Sequence, residues 1–188
     1  MSSLGWEVEQ QQFTEAAPAP YGKQTFTNVM ATLEPGASRR LVLACHYDSK
    51  IDPPGFLAAT DSAVPCAMML NLAQTLRQEL RALRRSRPEL TLQFLFFDGE
   101  EAFKQWNNKD SIYGSRRLAA AWENSQYSSG GVGGNYNDRI DMFVLLDLLG
   151  AKGMTMSKLE SSTGSRIFHL INIKCSVCHL QETGTTIW

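Results

Sequence analysis

At 188 residues, 43% of them hydrophobic, the chain is long enough to bury one ordinary core. Its 18 basic and 19 acidic residues leave a net charge of −1, which gives no electrostatic footing for nucleic acid or an anionic membrane. No apolar run reaches transmembrane length, and the N-terminus, Met1-Ser-Ser-Leu-Gly-Trp-Glu-Val-Glu9, lacks the basic-then-apolar order of a signal peptide.

Residues 1–25 are polar and broken by Ala16-Ala-Pro-Ala-Pro20, with Trp6, Val8 and Phe13 sketching a weak edge strand. Thr25–Leu33 alternates as a strand and turns at Glu34-Pro-Gly36. Arg40–His46 follows as a buried strand and ends in His46-Tyr-Asp48. A loop with Pro53-Pro54-Gly55 leads to Asp61. There Asp61 or Ser62 is placed to cap a helix whose buried stripe would be Val64, Met68, Leu72, Leu76 and Leu80. Arg77, Arg81, Arg84, Arg85 and Arg87 gather toward its end, as a solvated face near a helix C-terminus allows. A binding role for them is the open alternative.

Thr91–Ala102 is the most informative stretch. Its apolar run through Phe97 suits a strand covered on both faces of a mostly parallel sheet. The run stops at Asp98-Gly-Glu-Glu101, and parallel α/β sheets bind ligands just beyond such strand ends. Adjacent carboxylates repel unless a positive charge lies beside them. A divalent metal on one, with the other free to move protons, relieves the conflict. A solvated acidic turn is the plain alternative.

A helix is expected through Tyr113 to Trp122, then a flexible loop over residues 123–139. Ile140–Leu149 reads as a core strand with Asp147 inside it, a carboxylate costly to bury without a partner. The β–β–α–β–α–β pattern predicts a doubly wound α/β sheet. From Lys152 the composition shifts to Ser, Thr and Gly, with no clear further strand–helix unit. Cys175-Ser-Val-Cys-His179 has the spacing of a haem attachment, but without a cytochrome-like helical context it reads as coincidence.

Four strand ends or helix starts therefore offer His46 with Asp48, Asp61, Glu100 with Glu101, and Asp147. Carboxylates with an imidazole suit zinc or a similar divalent ion, and three protein ligands with one open position make a catalytic site.

The wording of these segments is specific. Leu43-Ala-Cys-His-Tyr-Asp-Ser-Lys50, Ala59–Ala67, Phe96-Phe-Asp-Gly-Glu-Glu-Ala-Phe103, Lys109–Arg116 and Leu145–Ala151 resemble the animal glutaminyl-peptide cyclotransferases, within the zinc aminopeptidase-like superfamily. The likeness runs from about Trp6 to Ala151. It implies an α/β fold of phosphorylase/hydrolase type, a mostly parallel mixed sheet with helices on both faces, here truncated. Residues 1–151 would be a partial catalytic domain and 152–188 a divergent tail. The family holds one zinc and converts the N-terminal glutamine of peptide or protein substrates to pyroglutamate, releasing ammonia.

By resemblance Asp61 and Glu101 are zinc ligands, Glu100 is the general acid/base, Asp147 belongs to the substrate-steadying network and Trp106 walls the pocket. His46 and Asp48, ligand-like on the residues alone, do not bind metal in cyclotransferases. The resemblance also implies a Cys45–Cys66 disulfide, a secretory (Golgi or extracellular) compartment and a monomer; closing that loop would contribute about 3 kcal/mol. The family's third ligand, a histidine preceded by tryptophan, has no match, since only His169 and His179 follow His46. These residues alone are therefore expected to bind zinc weakly and to cyclise poorly or not at all. The alternatives are a non-catalytic truncated product and a two-zinc aminopeptidase, against which Ser62 argues.

Overall fold

The computed structural model describes residues 1–129, 132–151, 154–163 and 166–175. Its strands are β1 (Glu7–Ala16), β2 (Lys23–Thr32), β3 (Arg39–His46), β4 (Leu90–Phe97), β5 (Gln126–Ser129), β6 (Val132–Asn135), β7 (Ile140–Leu145), β8 (Met154–Thr163) and β9 (Arg166–Cys175). Three α-helices lie between them: α1 (Val64–Thr75), α2 (Arg77–Ser86) and α3 (Tyr113–Glu123).

Five strands form one mixed sheet in the order β1-β2-β4-β3-β7. The β1–β2 and β2–β4 pairs are antiparallel, whereas β4–β3 and β3–β7 are parallel. Side chains alternate between two cores. On one face Leu92, Phe94, Phe96 and Cys45 pack with Trp6 and with Met69, Ala73 and Leu80 from α1 and α2. On the other, Val42, Ala44, Leu95 and Phe97 pack with Leu118 of α3 and with Ile140. The expected α/β sheet with helices on both faces is thus present.

Local details depart from the sequence reading for physical reasons. The weak N-terminal signal is a ten-residue edge strand, because every residue of β1 finds a partner on β2. The buried helical stripe is Pro65, Met69 and Ala73, then Leu80 on the next helix. Met68 and Leu76 are exposed, because a four-residue step overshoots one helical turn by about 40° and winds off the sheet-facing side, and the helix break at Leu76 (φ −93°, ψ 20°) then resets the face for Leu80. Neither Asp61 nor Ser62 caps α1. Both sit inside a wide turn, Ala59–Ala63, with non-helical backbone angles, and their side chains point elsewhere.

Residues 123–139 contain the β5–β6 hairpin and a 3-10 turn, Tyr136–Arg139, closed by the Asn135–Asp138 capping box. Beyond Lys152, where no clear further strand–helix unit was expected, β8 and β9 pair as an antiparallel ribbon. Cys178 and His179 lie outside the described residues.

β7 carries one extra residue. Arg40 pairs with Ile140 but Leu41 pairs with Met142, leaving Asp141 as a bulge that ion-pairs with Arg39 at 2.6 Å. β7 ends at Leu145, so Asp147 stands past the strand end rather than within it.

Candidate metal centre

The parallel half of the sheet brings strand ends level. His46 pairs with Phe97 in the β3–β4 register, and Ala44 pairs with Leu145 in β3–β7. The residues that follow therefore emerge together, and the wide turn before α1 adds Asp61 beside them.

His46, 1% exposed, is the hub. Its Nε2 lies 3.1 Å from Asp61 Oδ1, 3.4 Å from Asp147 Oδ1 and 3.9 Å from Glu100 Oε2. Its Nδ1 is 3.4 Å from Asp48 Oδ1, at an angle that makes no hydrogen bond. Asp48 instead accepts the backbone N–H groups of Glu100 and Glu101. Asp147 is fixed by the Ser62 hydroxyl and by the Leu148 N–H, both donating to its Oδ1.

Asp61 and Glu101 face a common point, occupied by the ammonium of Lys50. Its Nζ lies 3.3 Å from Asp61 Oδ2 and 3.7 Å from Glu101 Oε1. The latter distance is too long for a hydrogen bond, so the buried Glu101 Oε1 has no hydrogen-bond partner among the described residues. A buried carboxylate oxygen left in this way fits a site shaped for a stronger cation. Two buried carboxylates are also the donor type that zinc takes.

Electrostatics follow from burial and crowding. Burial pushes the Glu100 carboxyl well above its ordinary range, with Glu101, Asp147 and Asp48 adding to the rise against the opposing pull of His46. Burial, then Asp61, lifts Glu101 to about 7. Burial also acts against a charge on His46, but the carboxylates of Asp147, Asp48 and Asp61 outweigh it and hold the imidazolium. For Asp61, burial is overcome by His46 and Lys50, and the carboxyl sits below its usual range. Glu100 thus has the raised proton affinity that a shuttle at neutral pH needs, while Asp61 stays ionised.

The sequence-derived residues His46, Asp48, Asp61, Glu100, Glu101 and Asp147 all gather at this one end of the sheet. Trp106 does not join them directly; it stands 52% exposed on the loop before α3. A cleft of about 210 Å³, lined in part by Thr25, Phe26, Asp48, Glu101 and Phe103, opens on the Glu101 side. Cys45 and Cys66 are free thiols here, and the Cys66 thiol donates to the His46 carbonyl oxygen at 3.1 Å. Sequence reasoning gave no role to Lys50, whose only signal was its place beside His46 and Asp48.

The model of peptidase family M28 matches residues 28–183. The chain belongs to peptidase family M28. This M28 chain is 48% identical over 182 residues to the glutaminyl-peptide cyclotransferase of Drosophila melanogaster, covering 96% of this chain and 48% of that one. It is 51% identical over 170 residues to a glutaminyl-peptide cyclotransferase-like protein of Bos taurus, covering 89% and 43% of the two chains. Among solved structures, the glutaminyl cyclase of Macrostomum lignano superposes with a TM-score of 0.70 at 45% identity, over 80% of this chain and 43% of that one. The M28 chain thus spans less than half the length of these relatives.

Proposed function

We propose that this chain carries the proton-handling cluster and two of the metal-holding side chains of a glutaminyl-peptide cyclotransferase, which converts N-terminal glutamine to pyroglutamate with release of ammonia. The observation that carries this reading is the convergence of Asp61, Glu100 and Asp147 on His46, with Glu101 Oε1 left without a hydrogen-bond partner beside them.

In this reading Asp61 and Glu101 would hold zinc, which would supply Lewis-acid polarisation of the glutamine side-chain carbonyl. The substrate's own α-amine attacks that carbonyl carbon, so the protein mainly orients a nucleophile already tethered to its target. Glu100 takes the proton released by the amine and returns it to the departing ammonia; its raised proton affinity supports both halves of that task. Asp147, fixed by Ser62 and Leu148, steadies the substrate. Trp106 walls the pocket, its exposure leaving the ring free to meet a peptide.

These residues by themselves offer zinc two carboxylates and no counterpart of the family's third ligand. We infer weak zinc binding and slow or absent turnover, and hold a non-catalytic product as the alternative. Residues 1–151 are the partial catalytic domain and 152–188 a divergent segment. A Cys45–Cys66 disulfide, a secretory compartment and a monomeric state complete the reading; the two thiols, free here, are neighbours.

Ammonia release from a Gln-peptide in excess zinc is the deciding assay. Glu100→Gln should lower any turnover by about 10²–10⁴-fold, and undiminished turnover removes Glu100 from its role. Tight stoichiometric zinc with turnover by the unchanged chain overturns the inferred impairment.

A second reading has one observation in its favour. His46, Asp61 and Asp147 lie close enough to share an ion, as a metal-dependent aminopeptidase would require. Release of leucine from a Leu-peptide, with two metals per chain, would select it.

A further inference from the structure

We propose that Lys50 is a tethered internal cation that fills the charge position between Asp61 and Glu101 and has to withdraw before a divalent metal can bind there. The inference rests on the reading of those two carboxylates as metal ligands.

Lys50 Nζ reaches both carboxylates, at 3.3 Å from Asp61 Oδ2 and 3.7 Å from Glu101 Oε1, while the His46 imidazolium meets Asp61 at its other oxygen. The Asp61–Glu101 pair needs such a group, because each carboxylate raises the cost of charging the other in a buried setting. The contact is built to be reversible. Lys50 sits on the loop between β3 and the Ala59–Ala63 turn, and its side chain is 43% exposed. The ammonium also lies over the Phe56 ring at 5.6 Å from the centroid, and Phe56 is itself exposed. A four-carbon stem can swing such a head group toward water without moving the strand ends.

An ammonium is a single charge with no coordination requirement. A divalent ion offers twice the charge and, with enough ligands, displaces it. With only two protein carboxylates available, the contest is close, so Lys50 sets a threshold for metal loading.

Zinc affinity measured by competition with a chromophoric chelator tests this directly, on the unchanged chain, Lys50→Met, Lys50→Arg and Asp61→Asn. Lys50→Met should bind zinc about tenfold more tightly, while Lys50→Arg, which keeps the charge, should not. In chelator-treated samples Lys50→Met should also melt lower than the unchanged chain and regain its melting point with zinc. Zinc affinity that is the same or weaker in Lys50→Met overturns the proposal. Zinc binding that is absent from both chains, or indifferent to Asp61→Asn, overturns the ligand reading and the proposal with it. A melting point unaffected by Lys50→Met without metal shows that the ammonium neutralises nothing there, and overturns the proposal while leaving the ligand reading intact.

Discussion

Asp48 holds Glu101 by its backbone. The Glu101 N–H donates to Asp48 Oδ2 at 3.0 Å, and the preceding Glu100 N–H donates to Oδ1 at 3.1 Å. A side chain two residues beyond β3 thereby fixes the turn beyond β4, the segment with Glu100 and Glu101. Groups that orient metal ligands typically change metal affinity by about 10–100-fold when removed. Asp48→Ala is expected to weaken zinc binding by that amount, and Asp48→Asn by less, since one oxygen acceptor remains. Zinc titration checks it.

A second anchoring carboxylate sets an acid dependence. Asp110, 2% exposed, accepts the N–H groups of Phe103, Lys104 and Gln105 and the Tyr113 hydroxyl. Burial pushes its pKa up, but these donors outweigh burial and leave it below the ordinary carboxylate value. A depressed folded-state pKa gives stability that is fully present above the unfolded value of about 3.9 and lost as pH falls through the lower folded value. Asp110→Asn should cost about 2 kcal/mol near neutrality. The gap to the unchanged chain should then close as the pH drops below about 4, as read by urea unfolding across that range.

The two adjacent methionines of α1 should behave oppositely. Met69 is fully buried against Phe94 and its neighbours, whereas Met68 is 49% exposed. Met69→Ala should cost about 2–5 kcal/mol. Met68→Ala should stay within about 0.5 kcal/mol. Thermal unfolding of the pair separates the observed helix face from the one the four-residue spacing suggested.

Gly114 is pinned from two sides. A Cβ there would collide with the Asp98 carbonyl oxygen and the Asn28 side-chain oxygen. Both belong to the support of the acidic turn, since the Asp98 N–H donates to Asn28 and Asn28 donates to the Gly114 carbonyl oxygen. Gly114→Ala is expected to cost about 1–3 kcal/mol and to disturb Glu100 along with the helix start. Unfolding and zinc titration together measure both effects.

The thiol pair gives a redox test. Bridging Cys45 and Cys66 should add about 3 kcal/mol under oxidising conditions. Thiol counting in a Cys175→Ser/Cys178→Ser background and urea unfolding with and without reductant would show it, and two titratable thiols left after oxidation of that variant would remove the disulfide from the reading.

The strand run through Phe97 and its acidic end were legible because burial on two faces leaves a nearly continuous apolar signature, which stops where the strand ends at the cluster. The same held for His46 at the end of β3. The helix stripe was not legible. A four-residue spacing fits Val64 to Leu80 on paper, but the break at Leu76 is a backbone event with no Gly or Pro to announce it. Asp147 was read into its strand because Leu146, Leu148 and Leu149 continue the apolar text, although Leu148 adopts positive φ and turns the chain away. The pairing of Lys50 with Asp61 and Glu101 depends on where a flexible side chain comes to rest in space, which spacing along the chain does not encode.

The Asp141 bulge in β7 has a consequence for how the cluster is aimed. Side chains alternate across a strand, so a single-residue slip exchanges inside for outside. Were Asp141 to join the ladder opposite Leu41, Val144 would stand opposite Ala44 in place of Leu145, and every later residue would slip by one place. The carboxylate of Asp147 would then swing off His46, so the one residue left out of the ladder keeps the hub aimed.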